Sequence, residues 1–184
     1  MAKQRLKGKT VVILIADGYF EHEYLFPYYR FKEEGANVIT AGLKPGIVYG
    51  EGNLSGMNGL EANVDVGIVD VSIDLTDILF LPGGIYGPLF LRVDKNVQSF
   101  IQEYFNRGKL ICSICHAPWI LISAGILKGR RISCPFDMAP DVTGAGAEFV
   151  FHSVVADGNL LSAAGQALLP EMFMELFDTY FPEA

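Results

Sequence analysis

Residues 109–125 read KLICSICHAPWILISAG, and the fold turns on this stretch. After Lys109, residues up to Ile114 are apolar or small and predict a buried strand. Residues 116–124 predict a helix, stopped by Gly125. Cys115 then falls where a strand becomes a helix with almost no loop between them. Such a junction is a sharp, often strained turn of the nucleophile-elbow type. Strand followed directly by helix is also the repeating unit of a parallel sheet.

Outward from this junction the same alternation recurs. Residues 10–16 (TVVILIA) predict a buried strand, 21–34 a helix closed by Gly35, and 36–41 a second strand. Residues 77–81 predict a strand ending in Pro82-Gly83-Gly84. Residues 95–107 predict a helix stopped by Gly108. Two short strands flank Asp157-Gly158 within 154–161, and a last helix covers about 168–180. The segment 44–72 is rich in Gly and Asn, which suits small hairpins at a sheet edge. With no repeat and no linker, residues 1–184 are expected to form one domain. The expected fold is a three-layer α/β sandwich around a mainly parallel sheet.

Composition narrows the partners. The 184 residues are 51% hydrophobic and carry a net charge of −7, with no long basic run. Phosphate binding needs clustered Lys and Arg, so no nucleic-acid partner is expected. No apolar run approaches the roughly 20 residues that span a bilayer, so no membrane partner is expected either. No cleavable signal pattern follows the basic N-terminus, which points to the cytoplasm. Three cysteines are an odd number and predict free thiols. Small molecules, protein adducts and further copies of the chain are the expected partners.

In parallel sheets, sites form at the carboxyl ends of strands, and three features meet there. Cys115 lies at a helix N-terminus, whose free N–H groups are expected to lower its pKa and make it nucleophilic and oxidisable. Gly83 and Gly84 let backbone N–H groups approach a ligand; with the N–H of His116 they are candidates for an oxyanion hole. A tight turn is the plain reading of the same glycines. Asp17-Gly-Tyr-Phe-Glu-His-Glu23 brings two carboxylates and an imidazole to a helix start, where ordinary capping also favours acids.

The pattern Cys112-Ser-Ile-Cys115-His116 also matches a haem-attachment or dithiol motif. On a strand, however, two residues three apart lie about 10 Å from each other and face opposite ways. No second ligand pair offers zinc spacing. Neither a metal nor another cofactor is expected. Cys112 reads as a core thiol, and Cys134 is open. His152 reads as structural or surface-exposed.

Residues 113–130 resemble the ThiJ/PfpI family, a group of intracellular proteases, glyoxalases, proposed deglycases and the Parkinsonism-associated protein. Further matching pieces are Pro27-Tyr-Tyr-Arg-Phe-Lys-Glu-Glu-Gly35, Leu81-Pro-Gly-Gly84, Gly144-Ala-Gly-Ala-Glu148 and Val154-Val-Ala-Asp-Gly-Asn159. The resemblance implies a flavodoxin-like sandwich. It assigns Cys115 as nucleophile, Glu23 as the acid bonded to the thiol and His116 as base partner. Gly83, Gly84 and Ala117 become pocket residues, and dimers or larger homo-oligomers are expected. In the resembling proteases a further acid comes from a neighbouring subunit. Here no carboxylate lies between Gly84 and Asp94, and the segment 162–170 lacks an Arg and an Asp common in the family. Cys134 stands where a tyrosine is frequent.

Two functions follow. One is a Cys115-dependent hydrolase or lyase on small carbonyl, glycated or acyl substrates, in the setting of a stress response. The other is a non-enzymatic sensor or chaperone-like protein with an oxidisable Cys115. A glutamine amidotransferase would share the elbow but needs a late His–Glu pair, and no acid closely follows His152. Six aromatic residues between Tyr19 and Tyr29 exceed what one helix face buries, which hints at an interface.

Overall fold

The computed structural model describes residues 4–54, 59–151 and 153–182, so His152 lies outside it. The strands are β1 (Thr10–Leu14), β2 (Asn37–Gly42), β3 (Gly46–Tyr49), β4 (Glu61–Val64), β5 (Val66–Gly67) and β6 (Ile78–Leu81). They continue with β7 (Leu110–Ile114), β8 (Arg131–Ser133), β9 (Glu148–Val150), β10 (Val154–Asp157) and β11 (Leu160–Ala163). The helices are α1 (Glu21–Glu33), α2 (Glu51–Leu54), α3 (Tyr86–Val93), α4 (Lys95–Asn106), α5 (Pro118–Ser123), α6 (Ala139–Gly144) and α7 (Leu169–Tyr180).

Seven strands form the central sheet in the order β10-β11-β7-β6-β1-β2-β5. Every pairing is parallel except the edge pair β10–β11. The sheet is covered on both faces, as its apolar strands require. Val12 and Leu14 of β1, with Leu79 and Leu81 of β6, pack beneath α4 and α5. Val11, Ile13, Ile78 and Phe80 alternate to the other face, where α1 and α7 cover them with Phe31, Phe173 and Phe177. This is the expected three-layer sandwich. β3 and β4 form the expected hairpin in the Gly-rich segment.

Several elements differ from the sequence reading. The helix expected over 116–124 starts only at Pro118, because residues 115–117 form a turn. Helix α3 occupies 86–93, where no element was predicted: Gly87 and Pro88 mask a helical pattern whose buried positions are Gly87, Pro88 and Leu91. The small parallel pair β8–β9 and the short α6 between them also escaped it, being stabilised by contacts distant in sequence. Of the aromatic residues near α1, Tyr19 and Tyr24 are core, while Phe26 and Tyr29 remain exposed.

Strand order reverses between β1 and β6, since β1 leads to β2 on one side and abuts β6 on the other. The carboxyl ends of β1, β6 and β7 therefore open onto a crevice at the topological switch point.

Candidate functional site

Cys115 follows the last residue of β7 with φ of +57°. A non-glycine residue in this left-handed region costs roughly 1–3 kcal/mol, and surrounding structure must hold it there. Its own N–H donates to the Ala163 carbonyl on β11 (3.0 Å), and the Ala117 N–H closes the turn onto Ile114 (3.1 Å). The reversal also corrects the expected opposition of Cys112 and Cys115. Strand alternation stops at Ile114, and both side chains pack against the cluster under α1 and α7. The three thiols are free.

Gly83 and Gly84 end β6 directly against this turn. A Cβ on Gly83 would lie 2.6 Å from Cys115 Cβ, 2.7 Å from Glu23 Oε2 and 2.9 Å from the His116 nitrogen, so only glycine fits. Gly84 has φ of +90°, in the left-handed region, and its N–H bonds to the thiol. The two glycines thus have separate tasks. Gly83 N–H donates to Glu23 Oε2 at 2.8 Å, whereas the N–H groups of Gly84 and His116 point at the Cys115 sulfur. Ala117 is fully buried under the helices and does not line the crevice.

Glu23 is buried on the first turn of α1. Burial pushes its carboxyl up to about 7, against opposing hydrogen bonds from the Gly83 N–H, the Cys115 thiol and the Gln166 N–H. Near neutral pH this carboxyl is therefore partly protonated and able to donate to sulfur. The expected lowering of the Cys115 pKa is reversed. Burial, followed by the nearby Glu23 charge, pushes the thiol up to about 12 and outweighs the Gly84 and His116 N–H groups. The six-residue α5 begins too late and too deep for its N-terminus to dominate.

A thiol with a raised pKa needs a neighbouring base to give up its proton at neutral pH. His116 Nδ1 lies 3.2 Å from Cys115 Sγ, and its Nε2 lies 3.0 Å from Asp137 Oδ2. A carboxylate accepts, so Nε2 carries a hydrogen, and when Glu23 is protonated and donates to sulfur, Nδ1 presents its lone pair to the S–H. Asp137 follows β8 on a single helical turn and belongs to the same chain. Cys115, His116 and Asp137 thus form a hydrogen-bonded chain of thiol, imidazole and carboxylate, the order of groups that nucleophilic catalysis requires. The sequence reading missed Asp137. Its only signal was an acid shortly after Cys134-Pro135, and nothing local ties position 137 to His116. Glu51 was missed as well. Its carboxylate lines the crevice and helps raise Glu23.

The recess above the sulfur holds about 300 Å³ and is lined by Phe20, Glu23, Glu51, Gly84, Ile85, Cys115, His116, Gly165 and Gln166. Among the described residues, no group of three or more His, Cys, Asp or Glu is arranged to hold a metal ion. Likewise, no helix is long and apolar enough to cross a membrane.

Residues 9–179 match the sequence pattern of the DJ-1/PfpI family. The chain belongs to this family. Its DJ-1/PfpI relatives include the deglycase TK1284 of Thermococcus kodakarensis, 40% identical over 83% of this chain and 88% of the relative. The protein/nucleic acid deglycase 2 of Escherichia coli is 34% identical over 84% of this chain and 87% of its own. Among solved structures, Drosophila melanogaster DJ-1beta superposes with a TM-score of 0.85 at 24% identity, covering 96% of this chain and 92% of that one. The DJ-1/PfpI sandwich and its flavodoxin-like sheet are therefore shared.

Proposed function

We propose that this protein is a Cys115-dependent hydrolase or lyase acting on small carbonyl or glycated substrates, in the manner of a deglycase. The observation that carries this reading is the convergence of four groups on one sulfur: the N–H of Gly84, the N–H of His116, the His116 ring and the Glu23 carboxyl. The thiol proton passes to His116 Nδ1 as sulfur adds to the electrophilic carbon. The imidazolium formed is held by Asp137. The N–H groups of Gly84 and His116 stand beside the reacting sulfur, where an oxyanion develops. Glu23 returns a proton to the adduct. Names of relatives such as deglycase TK1284 support the carbonyl class. The net charge of −7 favours small molecules or protein adducts over nucleic acid as substrate. A stress-response role, a cytoplasmic location and a homo-oligomeric state belong to the same proposal.

The test is consumption of methylglyoxal by the purified chain, with release of lactate. Cys115→Ala should reduce turnover by at least about 10²-fold, the scale of losing a covalent nucleophile. Equal rates for the two proteins would reject the reading.

A second reading rests on Glu23. A carboxyl protonated near neutrality can donate to the oxygen of an oxidised Cys115, which suits an oxidation sensor. Mild peroxide followed by mass spectrometry should then add oxygen to Cys115 before the buried Cys112 and Cys134. Equal modification of all three would exclude it.

A further inference from the structure

A second recess, of about 520 Å³, opens beside the cysteine recess, and Gly165 and Gln166 form part of both walls. Its lining includes Pro135, Phe136, Phe151 and Leu168, and among the described residues no charged side chain contributes to it. Phe136 is 71% exposed and Phe151 56% exposed, and their rings meet edge to face at 5.8 Å. Large apolar side chains grouped in water mark a place where something apolar binds. The recess is also tied to the reactive centre through the chain. Phe136 precedes Asp137, so one turn sends an acid to His116 and a ring to the second recess.

We infer that this second recess is a specificity pocket for a bulky apolar group, aryl or branched alkyl, attached next to the carbon that Cys115 attacks. This assigns the substrate class for the site proposed above and rests on that reading only for the kind of electrophile. A polyhydroxylated chain is disfavoured there. Apart from Gln166, the described side chains of the wall offer no strong hydrogen-bonding group, and the hydroxyls would lose water without replacement. The segment after Ser162, which lacks the Arg and Asp of the resembling sequences, supplies Ala164, Ala167 and Leu168 to this wall.

Labelling tests the pocket without requiring turnover. The full chain is treated with 2-bromoacetophenone or with bromoacetone, which present the same bromomethyl ketone on a phenyl or a methyl group. The Cys115 sulfur forms a bond to the methylene carbon, the C–Br bond breaks, bromide leaves, and the thiol proton passes to His116 and then to solvent. Peptide mass spectrometry gives the rate at Cys115, and each rate is divided by that of free glutathione. The corrected phenyl-to-methyl ratio should be at least about tenfold, the discrimination that apolar pockets achieve per added carbon group. Phe136→Ser together with Phe151→Ser should bring it close to one, while Phe136→Leu should retain most of it. Both rings are exposed, so folding of these variants is checked simply by circular dichroism.

A corrected ratio near one, or a ratio unmoved by the double serine variant, overturns the inference. The carbonyl reading fails separately. If neither methylglyoxal nor phenylglyoxal is consumed while the labelling preference holds, that reading falls and the apolar pocket stands. If both are consumed at equal kcat/KM without labelling preference, the pocket falls alone.

Discussion

Replacing Glu23 by Gln tests the electrostatics of the site most directly. Burial holds this carboxyl at about 7, whereas in an unfolded chain it titrates near 4.5. Between those pH values the folded protein keeps a proton that the unfolded chain has released. Stability contributed by this group is therefore full below pH 4.5 and is lost as pH rises through 7. At about 1.4 kcal/mol per pH unit, the interval corresponds to a loss on the order of 3 kcal/mol. Glutamine has the same shape, carries no charge and still offers an oxygen to the Gly83 N–H. Glu23→Gln should match the parent near pH 4.5 and exceed it by about 3 kcal/mol near pH 8.5. Urea unfolding at the two pH values and constant ionic strength measures both differences. Other titrating groups are common to the two proteins and cancel. A difference that stays constant within about 0.5 kcal/mol between the two pH values would refute the raised carboxyl, because a buried charge cannot be free of pH.

Three further outcomes follow from the same geometry. Asp137→Asn leaves a largely exposed position folded but removes the acceptor that orients His116. Turnover should fall by about tenfold to a hundredfold with an unchanged melting temperature, less than for a buried triad acid because this one is 68% exposed. Gly83→Ala forces a methyl group into the space between Cys115 and Glu23. It should cost about 1–3 kcal/mol in chemical denaturation and abolish Cys115 labelling selectivity, whereas ordinary thermal stability and labelling would contradict the close approach. Glu34 is held well below the usual carboxylate range, at about 2, first by the Arg5 guanidinium and also by Arg30. Glu34→Gln should thus destabilise the protein above pH 4.5, with the deficit closing as pH falls towards 2. Melting curves at pH 7 and pH 3 check this.

Much of the architecture is legible in the chain because it depends on neighbours. The runs at 10–14, 78–81 and 110–114 are continuous apolar segments, which only a sheet covered on both faces accommodates. Gly35, Gly108 and Gly125, all at positive φ, end their helices as sequence position predicts. The strand–Cys–turn–helix junction is likewise local, so Cys115 and His116 stand out from residues 109–125 alone. Glu23 was reached through a family resemblance, since an acid in a first helical turn is unremarkable by itself.

What the sequence could not decide is every property that depends on a distance between remote residues. His116 and Asp137 are 21 positions apart and are joined only because β8 runs towards the crevice before its turn. The separate tasks of Gly83 and Gly84 arise from the approach of β6 to the start of α1. Above all, the protonation of the central pair was misread from local rules. A helix N-terminus beside a cysteine predicts a lowered pKa, and burial next to Glu23 produces the opposite. Sequence determines which charged and nucleophilic groups exist and which strand ends carry them. Folding alone sets how much water remains around them, and at Cys115 desolvation outweighs the backbone N–H groups aimed at the sulfur.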